Sequence, residues 1–71
     1  MEMNKYIHQY QVAEQTKGFL ETWGLKQRFV ADTCNIDVKV FSKFMNHTVM
    51  LSENQLSRLV AYLEDYVKRN T

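Results

Sequence analysis

The last part of the chain carries the clearest hydrophobic pattern. Ser52, followed three residues later by Gln55, forms a capping-box pattern, and Leu51 stands where it can pack onto Leu56 across the cap. At about 100° per residue, the apolar side chains fall within one arc of about 120°: Leu56, Leu59, Val60, Leu63, Tyr66 and Val67. The pattern predicts a helix over residues 52–69 that begins at Ser52 or Glu53 and buries this arc.

A short helical pattern occupies residues 26–34, with Val30, Ala31 and Cys34 on its inward side. Asn35 follows as a turn, because asparagine is the commonest non-glycine residue to accept a positive φ. A single cysteine on the inward side is typical of a small buried hydrophobic residue. We therefore expect Cys34 to be buried rather than reactive.

A second short helix is predicted after Asp37, whose side chain can cap it. Its two sides differ in character. Bulky apolar residues occupy an arc of about 140°: Val40, Phe41, Phe44 and Met45. The opposite side is mostly polar or basic: Val38, Lys39, Ser42, Lys43 and Asn46. Such a side suits anions and hydrogen-bonding groups, and it suits water equally well.

The N-terminal segment has two apolar stripes instead of one, and Gly24 marks its end. One stripe contains Tyr6, Ile7 and Tyr10, and the other, rotated by roughly 140°, contains Phe19, Leu20 and Trp23. Either the helix breaks within residues 15–18, or one helix gives its second half to the core and its first half to a partner. We expect the Tyr6, Ile7 and Tyr10 stripe to form a dimer or partner surface, with an exposed tail around Tyr62 and Tyr66 as the alternative.

The composition supports a single all-helical domain over residues 1–71, in which residues 1–17 form the N-terminal helix. The chain has 71 residues, no proline and two glycines, so it has few helix breakers and only a small core. One cysteine excludes an internal disulfide, and two widely spaced histidines give no zinc set. Oligomerisation is the remaining way to support so small a core. We expect no metal, no cofactor and no small-molecule substrate.

The sequence motifs and the apolar runs predict neither an enzyme nor a membrane protein. No catalytic set of side chains and no glycine-rich phosphate loop is recognisable. The longest fully apolar run, Val49-Met50-Leu51, is far shorter than a membrane span, and no signal-peptide pattern opens the chain. The formal net charge is +1, and residues 25–48 form the basic third of the chain. We therefore expect a cytoplasmic protein that is not an enzyme and does not bind membranes.

Residues 27–46, QRFVADTCNIDVKVFSKFMN, resemble the helix-turn-helix of the lambda-repressor-like and Cro-like family, also called the xenobiotic-response-element family. The matching features are Ala31 at the close crossing of the helices, a turn at Asn35, and apolar residues at Ile36, Phe41 and Phe44. The likeness continues into the last helix and covers about residues 19–66. It implies a compact four- to five-helix bundle around a helix-turn-helix at residues 26–46.

The chain departs from the family pattern at three positions. Asn35 replaces the usual glycine, Lys26 stands where a Ser or Thr cap is common, and Val38 stands where a polar side chain often reads a base.

The resemblance also implies a function, namely sequence-specific binding of double-stranded DNA by a small transcriptional regulator of the phage or mobile-element type. The residues that would contact bases are Val38, Lys39, Ser42 and Lys43. The residues that would contact phosphates are Gln27, Arg28, Asn46, His47 and Thr48. The regulator would bind a roughly palindromic operator as a homodimer, with its second motif helix in the major groove.

A second interpretation keeps the fold and changes the function. A helix-turn-helix scaffold can serve as a protein-interaction adaptor or inhibitor that does not bind DNA, since a fold does not determine a function. The near-neutral charge, Val38 and the apolar N-terminal stripe all leave this alternative open.

Overall fold

Four helices account for the architecture of the chain. A computed structural model describes residues 2–71, with side chains from Tyr6 onwards. The helices are α1 (Glu2–Trp23), α2 (Gln27–Thr33), α3 (Val38–Met45) and α4 (Glu53–Arg69). The predicted all-helical class is confirmed, and Met1 of the predicted N-terminal helix lies outside the described residues. Among residues 2–71, no helix is both long enough and apolar enough to cross a membrane.

The predicted helix boundaries follow from local hydrogen bonds. The Asp37 side chain accepts from the backbone N–H groups of Lys39 and Val40 at the start of α3. Ser52 and Gln55 form both bonds of the predicted capping box at the start of α4. These contacts supply partners for N–H groups that the helices themselves leave unpaired.

The two predicted turns adopt the expected backbone conformation. Gly24 has a φ of 66° and ends α1, and Asn35 has a φ of 58° after α2. The N–H groups of Asn35 and Ile36 donate to the carbonyls of Asp32 and Ala31, which is the Schellman pattern of helix ends. Asn35 therefore occupies the left-handed position that glycine commonly occupies at the end of a helix.

α1 is one continuous helix that extends past residue 17 to Trp23, so of the two alternatives for residues 15–18 the unbroken helix is the one observed. Leu20 of the second predicted stripe lies on its buried face, which also contains Gln9, Val12, Ala13 and Thr16. Two of these buried residues are polar, which hides the core face from a hydrophobicity pattern. The core accepts them because each has a hydrogen-bond partner in the main chain.

The core lies where α3 packs against α1 and α2, while α4 packs against α1. The fully buried large side chains of this region include Phe41, Phe44 and Met45 of α3, with Val30 of α2 and Leu59 of α4. Burial of these side chains holds α3 by one side and leaves its other side outside the core.

Cys34 is buried, as predicted. Burial raises the pKa of its thiol, and the thiol lies 4.0 Å from the Arg58 carbonyl. The Arg58 guanidinium donates in return to the Cys34 carbonyl at 3.1 Å. This pair of contacts ties α4 to the end of α2.

Tyr62 and Tyr66 do not form an exposed tail. Both are partly buried: Tyr62 packs with Phe19, and Tyr66 packs with Phe19 and Trp23, at ring-centroid distances between 5.2 and 6.4 Å. Val67, predicted in the buried arc, is instead exposed. The aromatic rings therefore join α1 to α4 within one chain.

Candidate nucleic-acid interface

The four residues predicted to contact bases lie along one side of α3, and Val38 at the edge of that side packs against the core. Lys39 and Lys43 are exposed, whereas Val38 and Ser42 are partly buried. We call this surface the lysine face. Because Phe41 and Phe44 are buried on the opposite side of α3, rotation of the helix would expose them, so their burial fixes the direction of the lysine face.

The predicted phosphate contacts at the start of α2 are also accessible. Gln27 and Arg28 are exposed in the first turn, and Lys26 occupies the N-cap position with no side-chain hydrogen bond to the helix. The unpaired N–H groups of a helix start favour anions. A cation rather than a capping hydroxyl at this position leaves those groups open to an external acceptor.

The loop after α3 has a geometry that the sequence pattern did not indicate. His47 has a φ of 63°, and the N–H groups of His47 and Thr48 donate to the carbonyls of Phe44 and Lys43. This is a second Schellman pattern, with histidine in the position where glycine is usual. Asn46 and Thr48 remain exposed on either side of it.

The side chain of His47 is held by α1. Its ring stacks on Tyr10 at a centroid distance of 4.2 Å and an interplanar angle of 17°. Its Nε2 atom lies 2.7 Å from Oε2 of Glu14. The structure therefore brings a residue predicted to contact phosphate against one predicted to contact a partner, which the sequence alone did not connect.

Hydrogen bonds from Lys17 and then His47 lower the pKa of Glu14 below its usual value of 4.5. The carboxylate is thus charged at neutral pH and sits beside the 46–48 loop. Of the three residues predicted in this loop, Asn46 and Thr48 are the better placed to meet a phosphate, because the ring of His47 is already engaged by an anion.

The cations of the candidate interface are not engaged in ion pairs. Among residues 6–71, the ion pairs involve Lys17, His47 and Arg69, and none involves Arg28, Lys39 or Lys43. Cations that have no carboxylate partner in the protein keep their charge available for phosphates.

The predicted partner residues Tyr6, Ile7 and Tyr10 are exposed on α1 and line a groove of about 810 Å³. The opposite wall contains Val49 and Met50, which the sequence analysis did not assign to any surface. The signal was present in the apolar run Val49-Met50-Leu51, of which only the last residue is buried.

Comparison of the chain with protein-family models, characterised proteins and solved structures gave no match. Within residues 2–71, no group of three His, Cys, Asp or Glu side chains is arranged to hold a metal ion. Inferences about function therefore depend on the geometry and chemistry of the surfaces themselves.

Proposed function

We propose that the protein is a small DNA-binding regulator that places α3 in the major groove of double-stranded DNA. The observation that carries the proposal is the lysine face: Lys39 and Lys43 are exposed and have no ion-pair partner among residues 6–71, on a helix whose other side is fixed in the core.

The dimensions and chemistry of α3 suit this role. The major groove is about 12 Å wide and admits one α-helix. Lys39 and Lys43 can donate to guanine O6 and N7, Ser42 can donate or accept, and the Val38 methyl groups can contact a thymine methyl. Hydrogen-bonding reach and apolar contact are thus both present on one side of a short helix.

The surroundings of α3 supply anchoring. Gln27 and Arg28 at the start of α2, and Asn46 and Thr48 after α3, are exposed at the two ends of the α2–α3 pair. Phosphate contacts at such positions would set the register of the helix without reading sequence. His47 would contribute after exchanging its contact with Glu14 for one with phosphate.

One domain of this size makes a modest interface with DNA, so we propose that two copies bind two half-sites about 34 Å apart. Duplication multiplies both base and phosphate contacts without enlarging the fold. The operator would accordingly be a roughly palindromic sequence.

Fluorescence anisotropy with a labelled duplex at low salt tests the proposal. The paired substitution Lys39→Ala and Lys43→Ala is expected to weaken binding by about 100-fold or more, since a dimer loses four cations. The paired substitution Lys17→Ala and Lys68→Ala removes the same charge from α1 and α4 and serves as the matched control, with less than about a threefold loss. Equal losses in both variants, with circular dichroism showing both folded, would reject α3 as the DNA-binding helix.

The alternative function, a protein-interaction adaptor, is favoured by one observation, which is the apolar groove beside α1. A net charge of +1 also gives little general attraction to nucleic acid. Heparin chromatography at low salt separates the two functions: a DNA-binding protein is retained, whereas an adaptor without a cationic surface elutes with the flow-through.

A further inference from the structure

The groove beside the N-terminal half of α1 contains most of the large hydrophobic residues that are exposed among residues 6–71. Of seven such residues, five line it: Tyr6, Ile7, Tyr10, Val49 and Met50. We call this surface the N-terminal groove. Scattered apolar residues are ordinary on a protein surface, but a contiguous patch of this kind marks an interaction site.

The N-terminal groove is built before any partner arrives. The Gln9 side chain donates to the Leu51 carbonyl at 2.9 Å and accepts from the Leu51 N–H at 3.2 Å, and both bonds are buried. At the other end, Tyr10 stacks on His47. The two walls are thus fastened to each other at both ends, which reduces the entropy lost when a partner binds.

Among the side chains of residues 6–71, those that line the groove include no Asp, Glu, Lys or Arg. In a two-fold symmetric contact the same patch meets itself, so any fixed charge in it faces its own copy and costs free energy. An uncharged apolar lining is the kind of surface that can meet a second copy without this penalty.

We propose that a second copy of this chain occupies the N-terminal groove, in a two-fold symmetric contact between the α1 helices. Ile7 and Tyr10 of each copy enter the other's groove, against Val49 and Met50. A stable interface buries about 800 Å² on each partner. The chain exposes 5194 Å² in total, so such a contact would cover about 15% of it.

The size of the chain supplies an independent reason for a second copy. A 71-residue domain has a small core, and Cys34 is the only cysteine, so no internal disulfide stabilises it. Domains of this size are commonly stabilised by oligomerisation. The chain therefore has both a surface that can bind a partner and a core small enough to be stabilised by one.

This inference rests on the proposed function in one respect only: binding to two half-sites is the reason that the regulator needs two copies. The self-association itself is independent of DNA. His47 belongs both to the wall of the groove and to the loop after α3, so the contact would also steady that loop next to the duplex.

Sedimentation velocity of the full chain without DNA is the test. At about 0.1 mM the wild type is expected at twice the 8.5 kDa chain mass, since a dimer Kd of about 10 μM or tighter makes most chains dimeric at that concentration. Ile7→Asp is expected to raise the dimer Kd by about 100-fold or more, because each contact contains the substitution twice.

Matched controls exist on other surfaces of the same chain. Phe29 on α2 is exposed by 53%, as Ile7 is, and Val67 on α4 is exposed by 41% against 40% for Met50. Phe29→Asp and Val67→Asp are therefore expected to leave the dimer mass unchanged, whereas Met50→Asp is expected to dissociate it. Circular dichroism and thermal melting establish that each variant is folded.

A positive test uses disulfide cross-linking. A mixture of Ile7→Cys and Met50→Cys chains is expected to give a reducible mixed dimer on oxidation, because the two positions face each other across the contact. A mixture of Phe29→Cys and Met50→Cys chains is expected to give none, and the buried Cys34 does not interfere. A wild type that stays monomeric at about 0.1 mM, or a dimer that dissociates equally with Phe29→Asp, overturns the proposal and assigns the groove to another occupant. A dimer that forms but does not bind duplex would instead reject the proposed function and leave this inference intact.

Discussion

The lysine face and the N-terminal groove are both exposed, but they are built differently. The lysine face is the polar side of a helix whose other side is buried through Phe41 and Phe44. The N-terminal groove is an apolar surface held open by the buried Gln9 and by the stacked pair of Tyr10 and His47. A polar surface needs no cover in water, whereas an apolar one is stabilised when it is covered. Under the two proposals, the first surface binds a ligand with charge and the second binds a protein.

The largest difference between the two surfaces is expected in how their substitutions change the free energy of unfolding. Phe41→Ala removes a fully buried ring beneath the lysine face and is expected to lower the free energy of unfolding by about 3–5 kcal/mol. Ile7→Ala, measured at a concentration where the chain is monomeric, is expected to change it by less than about 0.5 kcal/mol, because the side chain is exposed. Urea unfolding of both variants checks this, and comparable losses would mean that Ile7 belongs to the core.

The next effect concerns the connection between the two surfaces. Ile7→Asp is expected to weaken binding to a duplex with two half-sites by about 100-fold, because the two subunits no longer bind as a unit. Binding to a duplex with one half-site should remain unchanged, since the lysine face is intact. Anisotropy titrations with the two duplexes measure both affinities; an equal loss on both would show that the substitution damages the lysine face itself.

Substitutions at the glycine inside α1 and at the glycine after its end are expected to change the free energy of unfolding by smaller amounts and in opposite directions. Gly18 lies inside α1, and a Cβ added there would meet no atom within 4 Å, so Gly18→Ala is expected to raise the free energy of unfolding by about 0.5–1 kcal/mol. Gly24 has a φ of 66°, so Gly24→Ala is expected to lower it by about 1–2 kcal/mol. Thermal or urea unfolding measures both. A destabilising Gly18→Ala would indicate that α1 bends at Gly18, which would separate the groove from the core.

The smallest expected effect comes from the contact that joins the two regions. The pKa of Glu14 is lowered in the folded chain, so its contribution to stability is present above pH 4.5 and is lost as the pH falls below that value. Glu14→Gln should therefore be less stable than the wild type at pH 6 and approach it at pH 3. A stability difference that does not shrink on acidification would show that the charge of Glu14 plays no part.

The extent to which the structure was predictable depended on how each element is stabilised. Asp37, Ser52 with Gln55, Asn35 and Gly24 act through their own neighbours in sequence, and all were predicted correctly. The core face of α1 was missed because Gln9 and Thr16 look like surface residues until their main-chain partners are known. Gln9 bonds to a residue 42 positions away, and such a distant pairing leaves no periodic signal.

The candidate surfaces show the same division. The four residues of the lysine face lie along one side of α3, as helical spacing alone predicts, with Val38 at the edge packed against the core. Val49 and Met50 were not joined to Tyr6, Ile7 and Tyr10, because the groove between them depends on how the 47–51 segment folds back onto α1. The positive φ of His47, which directs that segment, is uncommon outside glycine, and the hydrophobic pattern carries no signal for it.

The salt dependence of duplex binding tests the central claim most directly. If each of two subunits brings about four cations of the α2–α3 pair, Arg28, Lys39 and Lys43 among them, close to the phosphates of the groove and backbone, the plot of log K against log salt should have a slope near −7. The slope should become shallower when Lys39 and Lys43 are replaced by alanine and should stay unchanged when Lys17 and Lys68 are replaced. A flat response in the wild type would contradict the claim that α3 presents its lysines to DNA.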